Sequence, residues 1–320
     1  MTAPRGKILV IRGGAIGDFI LTLPAIAALR SRFPGVHLEV LGYPHIVQLA
    51  VAGGLVDRVQ SIEARALAGF FARSGTLDAD LTDYFSEFDI IVSYLYDPDE
   101  IFRTNVGRCS TAQFIVGPHR PLETENLHAA RVFLKPLERL AIFDADPVPR
   151  LILHAPSPAG TPPDAGTESS IHQLALHPGS GSEKKNWPEA RWAELLQHLL
   201  STTTWPLLLV GGEAEGERLQ RLAAALVPTR VRVAQSLPLA ELACRLKQCA
   251  AFIGHDSGIA HLAAALGLPG LVLWGNAATD VWRPPHSNVL ILKGPNGLNT
   301  ISVDAVIRNL GPLLEEIRRR

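Results

Sequence analysis

The chain has 320 residues, of which 47% are hydrophobic and 19% charged, and its formal net charge at pH 7 is −1. This composition excludes a largely disordered chain, and the length predicts two domains. The near-neutral charge argues against a nucleic-acid-binding protein, which needs a basic surface. Three cysteines, Cys109, Cys244 and Cys249, lack the spacing of a zinc knuckle or a disulfide framework. We therefore expect reduced thiols in a cytoplasmic protein.

Strands and helices alternate in the N-terminal half. Apolar runs predict strands at 7–11, 37–41, 90–92 and 113–116, and helical patterns cover 21–33 and 128–140. Pro136 predicts a break in the second of these helices. Strands followed by helices indicate a parallel sheet with right-handed crossovers.

Residues 155–170 are rich in proline, glycine, serine and threonine and cannot build a core, so they indicate a linker or a long exposed loop. Beyond them the alternation restarts. Strands are predicted at 174–176, 207–210, near 231, at 252–254 and at 271–274, and helices at 188–200, 215–226, 238–248, 259–266 and 303–320.

This pattern predicts an α/β protein with two Rossmann-like domains, whose parallel sheets face a central cleft. We expect the first domain at 1–155, the linker at 156–170 and the second domain at 171–302. The helix at 303–320 is expected to pack back across the first domain. Ligands of such folds bind at the carboxyl ends of the strands.

One apolar segment is long enough to cross a bilayer. Residues 257–279 contain no aspartate, glutamate, lysine or arginine. However, Gly267-Leu268-Pro269-Gly270 divides them into a helix and a strand, as in a buried α/β unit. We therefore predict no transmembrane segment here.

The most informative motif is the decapeptide 252–261, in which a short apolar strand meets a polar turn and a small-residue helix. The first amides of such a helix are unpaired and carry partial positive charge, which suits a phosphate. Ser257 and Gly258 let a ligand approach the backbone closely. Asp256 could hydrogen-bond a polar ligand or simply cap the helix.

Two further loops of the second domain follow predicted strands. In the first, Ser180, Ser182 and exposed amides can cradle phosphate oxygens beside a lysine, although such a loop can equally be a solvated turn. In the second, Glu213 or Glu217 could hold ribose hydroxyls, cap a helix or face solvent.

The first strand–helix junction reads Arg12-Gly13-Gly14-Ala15-Ile16-Gly17-Asp18. It lacks the first glycine of the dinucleotide fingerprint, and Glu39 lies in mid-strand rather than at the strand tip, so a nicotinamide-binding domain is disfavoured. Asp18 has two interpretations that the sequence leaves open. It is either a first-turn acid stabilised by the helix dipole or a general base that faces the cleft.

Metal binding has weak support. Asp-x-Asp triplets at 78–80, 97–99 and 144–146 lie in charged or proline-bearing loops, where solvated carboxylates are expected. His177, His255 and His261 lack ligand spacing on one helix face. We predict no metal site.

Four motifs in order carry a family resemblance. They are Ile-Leu-Val-Ile-Arg at 8–12 with Gly-Asp at 17–18 and Leu-Pro-Ala at 23–25; His-Pro-Gly-Ser at 177–180 with Lys-Asn-Trp-Pro at 185–188; Val-Gly-Gly at 210–212; and Gly-His-Asp-Ser-Gly at 254–258 with His-Leu-Ala-Ala-Ala at 261–265. The chain resembles glycosyltransferase family 9, the bacterial ADP-heptose:lipopolysaccharide heptosyltransferases. The resemblance implies a GT-B fold, an inverting transfer from ADP-heptose held by the C-terminal domain, and a lipid-anchored core-saccharide acceptor at the N-terminal domain.

The resemblance also implies site residues. Asp18 matches the catalytic base, and Lys185 matches the lysine that contacts the donor diphosphate. Donor-binding positions are expected at Gly17, Ser180, Ser182, Glu213, Asp256, Ser257, Gly258 and His261. Acceptor-binding positions are expected at Arg65, Arg73, Arg103 and Arg120, although each can equally be an ordinary surface arginine.

One departure leaves the donor sugar open, because Asn276 stands where the family usually has proline in a Gly-Pro-Thr-Asp-Pro loop. The alternatives are a related transferase or epimerase that uses another nucleotide sugar, such as a UDP-linked one, and a non-catalytic nucleotide-binding module. No cofactor is expected to be required, although magnesium could assist. We expect a cytoplasmic protein that contacts the inner membrane surface transiently, around Phe70-Phe71-Ala72-Arg73.

Overall fold

A computed structural model describes residues 6–153, 173–181 and 185–319. The chain divides into two compact units, Met1–His154 and Ala155–Arg320. The linker expected at 156–170 and the candidate donor residue Ser182 lie outside the described residues.

The first unit is built on a parallel sheet with the strand order β3-β2-β1-β4-β5. Its strands are β1 (Lys7–Arg12), β2 (His37–Gly42), β3 (Arg58–Ser61), β4 (Ile90–Ser93) and β5 (Gln113–Val116). The residues from Ile8 to Ile11 are all buried, as expected for a central strand covered by helices on both faces. All five strands point the same way, so the segments that follow them emerge at one edge of the sheet.

Within residues 6–153, four α-helices connect these strands and a fifth follows β5. They are α1 (Ile16–Arg32), α2 (Pro44–Ala52), α3 (Ala79–Ser86), α4 (Ile101–Gly107) and α5 (Ala129–Leu134). Helix α5 ends before Pro136, and a 3₁₀ helix (Lys135–Leu140) continues the chain. The break predicted at this proline is confirmed.

The second unit contains a parallel sheet with the strand order β11-β10-β9-β6-β7-β8. Its strands are β6 (Gln173–His177), β7 (Leu207–Gly211), β8 (Val231–Gln235), β9 (Cys249–His255), β10 (Gly270–Trp274) and β11 (Val289–Lys293). The direction in which strands are added reverses between β6 and β9. Open α/β sheets bind ligands at the carboxyl ends of the strands on either side of such a switch point.

The helices of the second unit are α6 (Glu189–Thr202), α7 (Gly216–Ala224), α8 (Leu239–Lys247), α9 (Gly258–Ala265), α10 (Thr279–Trp282) and α11 (Val303–Arg319). Helix α11 buries Val306, Leu310 and Leu313 in the same apolar core as Trp192 and Leu195 of α6. The apolar face of this helix is therefore buried by its own unit, and the expected packing across the first domain stays a prediction.

The apolar segment 257–279 forms α9 and β10, joined by a turn, as its Gly-Leu-Pro-Gly sequence predicted. Within the three described ranges, no helix has the length and apolar character needed to cross a membrane.

The packing of α11 makes a prediction about the stability of the second unit. Leu310 is buried, so Leu310→Ala should lower the free energy of unfolding by about 2–5 kcal/mol through lost contacts and a residual cavity. Urea unfolding followed by tryptophan fluorescence measures this selectively, because all five tryptophans lie beyond residue 186. The half-exposed Leu290 of β11 provides the control, and Leu290→Ala should cost about 1 kcal/mol or less. Equal losses in the two variants would contradict the assignment of α11 to this core.

Candidate functional site

Two loops meet at the switch point of the second sheet. One follows β6 and carries Lys185, and the other follows β9 and carries Asp256. The Lys185 Nζ lies 3.1 Å from the Asp256 Oδ2, and the lysine side chain remains 52% exposed. The structure therefore brings together two residues that are 71 positions apart in the sequence, and it leaves the cation accessible to a ligand.

Helix α9 begins directly beside this ion pair. Its N-cap is Ser257, whose hydroxyl oxygen accepts a hydrogen bond from the Ala260 amide at 3.3 Å. Asp256, which could have been the cap, instead pairs with Lys185. The amide groups at Gly258 and the next residues have no partner within the helix and carry the positive end of its dipole. His261, three residues further along, is buried in the first turns of this helix.

The carboxylate of Glu215 holds the glycine loops of this edge together. One of its oxygens accepts the Gly181 amide at 2.9 Å, and the other accepts the Gly212 amide at 2.8 Å. A side chain at Gly179 would collide with the stem of Glu215, which explains the glycine there. Sequence reasoning missed Glu215 and chose its neighbours Glu213 and Glu217, both of which are exposed.

The loop after β6 is also held by its own side chains. The Ser180 hydroxyl donates to the Asn186 Oδ1 at 2.8 Å, which ties the start of the loop to its end. Ser180 thus lies in the loop that carries Lys185, as expected.

Two histidines end the strands on either side of the switch point. His255 Nε2 accepts the Trp187 amide at 2.9 Å, and its Nδ1 lies 3.0 Å from the Gly179 carbonyl oxygen. Burial lowers the pKa of His255 to about 3. Burial likewise lowers the pKa of His177 to about 4, and its Nδ1 lies 3.3 Å from the Ser257 hydroxyl. Both rings are therefore neutral at pH 7, so neither adds a charge to this edge.

In the first unit, Asp18 occupies the first turn of α1, after the carboxyl end of β1. Its Oδ2 accepts the Ala15 amide at 2.9 Å, and its Oδ1 lies 3.7 Å from a guanidinium nitrogen of Arg12. Both interpretations of this residue are compatible with the structure, because the carboxylate caps the helix through one oxygen while the side chain stays 31% exposed.

Arg12 ends β1 and is buried beneath Asp18. One guanidinium nitrogen donates to the His119 carbonyl oxygen at 2.8 Å, and the group lies over the Phe133 ring at 4.4 Å. Burial lowers the pKa of Arg12, whereas the Asp18 carboxylate opposes that shift. Arginine stays charged in proteins, so Asp18 has a fixed cation beside it. The only sequence signal for this fixed cation was the arginine at the end of the first strand.

The four candidate acceptor arginines lie in segments that follow β3, β4 and β5, at the same edge as Asp18. Three of them form exposed ion pairs: Arg73 with Asp99 at 3.2 Å, Arg103 with Glu100 at 2.9 Å, and Arg120 with Glu123 at 3.3 Å. Exposed pairs are worth about 1 kcal/mol or less, so an acidic ligand could replace these partners. Arg65 is exposed as well.

The Asp-x-Asp triplets have local structural roles. Asp78 caps α3, Asp97 accepts amides at the start of α4, and Asp146 pairs with Arg150. In the described part of the chain, no three acidic, histidine or cysteine side chains are grouped as metal ligands would be.

Comparisons with known proteins assign the family. The model of glycosyltransferase family 9 (heptosyltransferase) matches residues 143–303. Lipopolysaccharide heptosyltransferase 1 of Pseudomonas aeruginosa is 42% identical over 305 residues, which cover 84% of this chain and 78% of the relative. The chain belongs to glycosyltransferase family 9. It is a glycosyltransferase, as the four sequence motifs indicated.

Solved structures of family members share the fold. A family 9 glycosyltransferase from Veillonella parvula superimposes with a TM-score of 0.77 at 19% identity, covering 99% of both chains. Escherichia coli ADP-heptose lps heptosyltransferase II gives 0.76 at 18% identity, covering 97% of this chain and 99% of the other. The predicted α/β GT-B class with two Rossmann-like domains is confirmed, whereas the central cleft stays a prediction.

The contacts of Glu215 make a prediction about the second unit. Glu215→Gln replaces one accepting oxygen by an amide that faces a backbone N–H, so the Gly181 or the Gly212 amide loses its partner. The free energy of unfolding should fall by about 1–3 kcal/mol, measured by tryptophan fluorescence in urea. Glu217 is two residues away and 94% exposed. Glu217→Gln should change the free energy of unfolding by about 0.5 kcal/mol or less. A Glu215 variant as stable as the Glu217 variant would show that the bridge does not hold the loops.

Proposed function

We propose that this glycosyltransferase moves a heptose from ADP-heptose to a lipid-linked saccharide of the lipopolysaccharide core. The observation that carries the proposal is the exposed Lys185 ammonium beside the free amides of α9, at the switch point of the second sheet. The named activity of the 42% identical Pseudomonas aeruginosa relative supports the sugar and the acceptor class. Family membership favours a transferase over an epimerase or a non-catalytic binding module.

In this proposal the donor diphosphate lies between Lys185 and the start of α9. The ammonium group supplies a mobile positive charge, and the amides near Gly258 supply hydrogen bonds that are fixed before the ligand arrives. Ser180 lies in the loop after β6, and His261 lies in α9. Glu213 is exposed after β7, where it can reach ribose hydroxyls. As negative charge develops on the departing ADP, the Lys185 ammonium and the amides at the start of α9 stabilise it.

Asp18 is the proposed general base. The acceptor hydroxyl oxygen attacks the anomeric carbon from the face opposite ADP, and its proton passes to the Asp18 carboxylate. The bond from the anomeric carbon to the diphosphate oxygen breaks, and ADP leaves with the electron pair. This step inverts the configuration, as base-assisted attack does in inverting glycosidases. Gly17, the residue before Asp18 in α1, is the proposed donor contact of the first unit.

The acceptor is proposed to bind the first unit through the arginines after β3, β4 and β5. Next to them, Phe71 is 45% exposed and lies 4.9 Å from the Phe102 ring, whereas Phe70 is buried in the core. The proposed transient membrane contact therefore involves Phe71 and Arg73 and excludes Phe70. Because the proposed acceptor is lipid-linked, the enzyme is proposed to act at the inner membrane surface.

If Asp18 is the base, replacing it should lower the transfer rate without changing ADP affinity. Asp18→Asn keeps an oxygen to accept the Ala15 amide, so the helix cap survives while the base is lost. Transfer should fall by about 10²–10⁴-fold, and ADP affinity should not change. Radiolabelled transfer and calorimetry measure the two quantities. Asp80→Asn, which alters another first-turn acid in α3, should leave transfer unchanged. Full turnover by the Asp18 variant would remove this residue from the mechanism.

The proposed charge stabilisation predicts that a lysine, rather than a metal, neutralises the diphosphate. Lys185→Ala should lower the transfer rate by about 10²–10³-fold, as for the loss of a preorganised donor. Excess EDTA should lower the wild-type rate only slightly, because magnesium assists but is not required. Lys247 of α8 is a matched control, and Lys247→Ala should have no effect. Abolition of transfer by EDTA, reversed by added magnesium, would contradict this arrangement.

A further inference from the structure

His255 has a place in the site that the proposed mechanism does not use. It ends β9 immediately before the Lys185 partner Asp256, and its side chain is completely buried. Its ring contacts the backbone at both ends of the loop after β6. The loop residues between those two contacts include Ser180 and Lys185.

The two hydrogen bonds define the protonation state of the ring. The Trp187 amide donates to Nε2 at 2.9 Å, so Nε2 carries no proton. A neutral ring then carries its proton on Nδ1, which donates to the Gly179 carbonyl oxygen at 3.0 Å. The neutral Nδ1–H tautomer satisfies both buried backbone groups, whereas the other tautomer would set a donor against a donor at Trp187.

Packing holds the ring in this orientation. The Trp192 ring of α6 lies edge-on to it, with centroids 5.4 Å apart. The Trp187 and Trp192 rings are also edge-on to each other, at the same centroid distance. Both indoles are fully buried. His255 therefore cannot turn to exchange partners without disturbing the core of the second unit.

We propose that His255 is a positioning residue for the donor, which fixes the backbone at Gly179 and Trp187, on either side of Lys185, through its neutral Nδ1–H tautomer. This inference rests on the proposed function of Lys185. A protonated ring would present Nε2–H to the Trp187 amide, and the end of the loop that carries Lys185 would lose its anchor.

Burial is the main cause of the neutral form, and two titratable groups near the ring act in the same direction. Arg218 of α7 donates to the Pro178 carbonyl oxygen at 3.2 Å, and His177 ends the neighbouring strand. Burial, with smaller contributions from these two groups, lowers the pKa of His255, and the Gly179 carbonyl and the Glu215 carboxylate oppose the shift. Because the folded pKa lies below the unfolded value of about 6.5, the loop is intact above that pH. It loses stability as the pH falls toward 3.

The test is ADP binding by the full chain, measured by calorimetry at pH 7. His255→Phe keeps a ring against Trp192 but leaves both backbone groups without a partner, so the dissociation constant of ADP should rise by about 10- to 100-fold. His255→Gln, which can accept and donate, should recover part of that loss. His198→Phe, on the outer part of α6, should bind ADP as the wild type does.

A double-mutant cycle separates positioning from general destabilisation. In the Lys185→Ala background, His255→Phe should weaken ADP binding much less than in the wild type, because the group it positions is gone. Additive losses, or unchanged binding by His255→Phe alone, would overturn the inference and leave the donor assignment intact. Absence of ADP binding by the wild type would overturn both.

A measurement on the wild type covers the case in which His255→Phe does not fold. Nitrogen-15 spectra of the labelled histidines should show one ring with protonated Nδ1 and bare Nε2 that stays neutral from pH 7 down to pH 5. Assignment of His255 as the Nε2–H tautomer, or as protonated near pH 6, would overturn the inference.

Discussion

The site of the second unit depends on how buried backbone groups are satisfied where the parallel strands end. Between β6 and α6, the Gly181 and Trp187 amides are paired by side chains rather than by a neighbouring strand. An unpaired buried amide costs about 1–3 kcal/mol. Glu215 accepts one amide from this loop and one from the loop after β7, and His255 bridges the loop at Gly179 and Trp187. With these groups paired internally, the Lys185 ammonium and the first amides of α9 are left for a ligand.

The two units place different kinds of charge at their carboxyl edges. In the second unit the charge is a lysine and a helix terminus, which together suit a diphosphate. In the first unit, the Asp18 carboxylate lies beside the buried guanidinium of Arg12. This division matches transfer chemistry, in which one side binds the leaving group and the other removes a proton from the acceptor.

Much of the fold was predictable because central strands such as β1 are continuously apolar and end at turn residues. The edge strand β5 was also predicted, with matching bounds. Strand β3 was missed because it lies at a sheet edge and contains a single apolar residue, Val59. Strand β11 was missed although its sequence is mostly apolar. Short motifs were enough to propose Asp18, Lys185 and Ser257 as site residues. Glu215 could not be chosen over Glu213 and Glu217, since three glutamates in five residues look alike until tertiary contacts select one. The role of His255 likewise depends on partners about 70 residues away.

A crystal structure of the protein with ADP tests the central claim most directly. The account predicts the diphosphate at the switch point of the second sheet, with its oxygens about 3 Å from the Lys185 Nζ and from the amides at the start of α9. The loop after β6 should keep its contacts with Glu215 and His255. ADP bound elsewhere, or a diphosphate that touches neither Lys185 nor α9, would contradict the account.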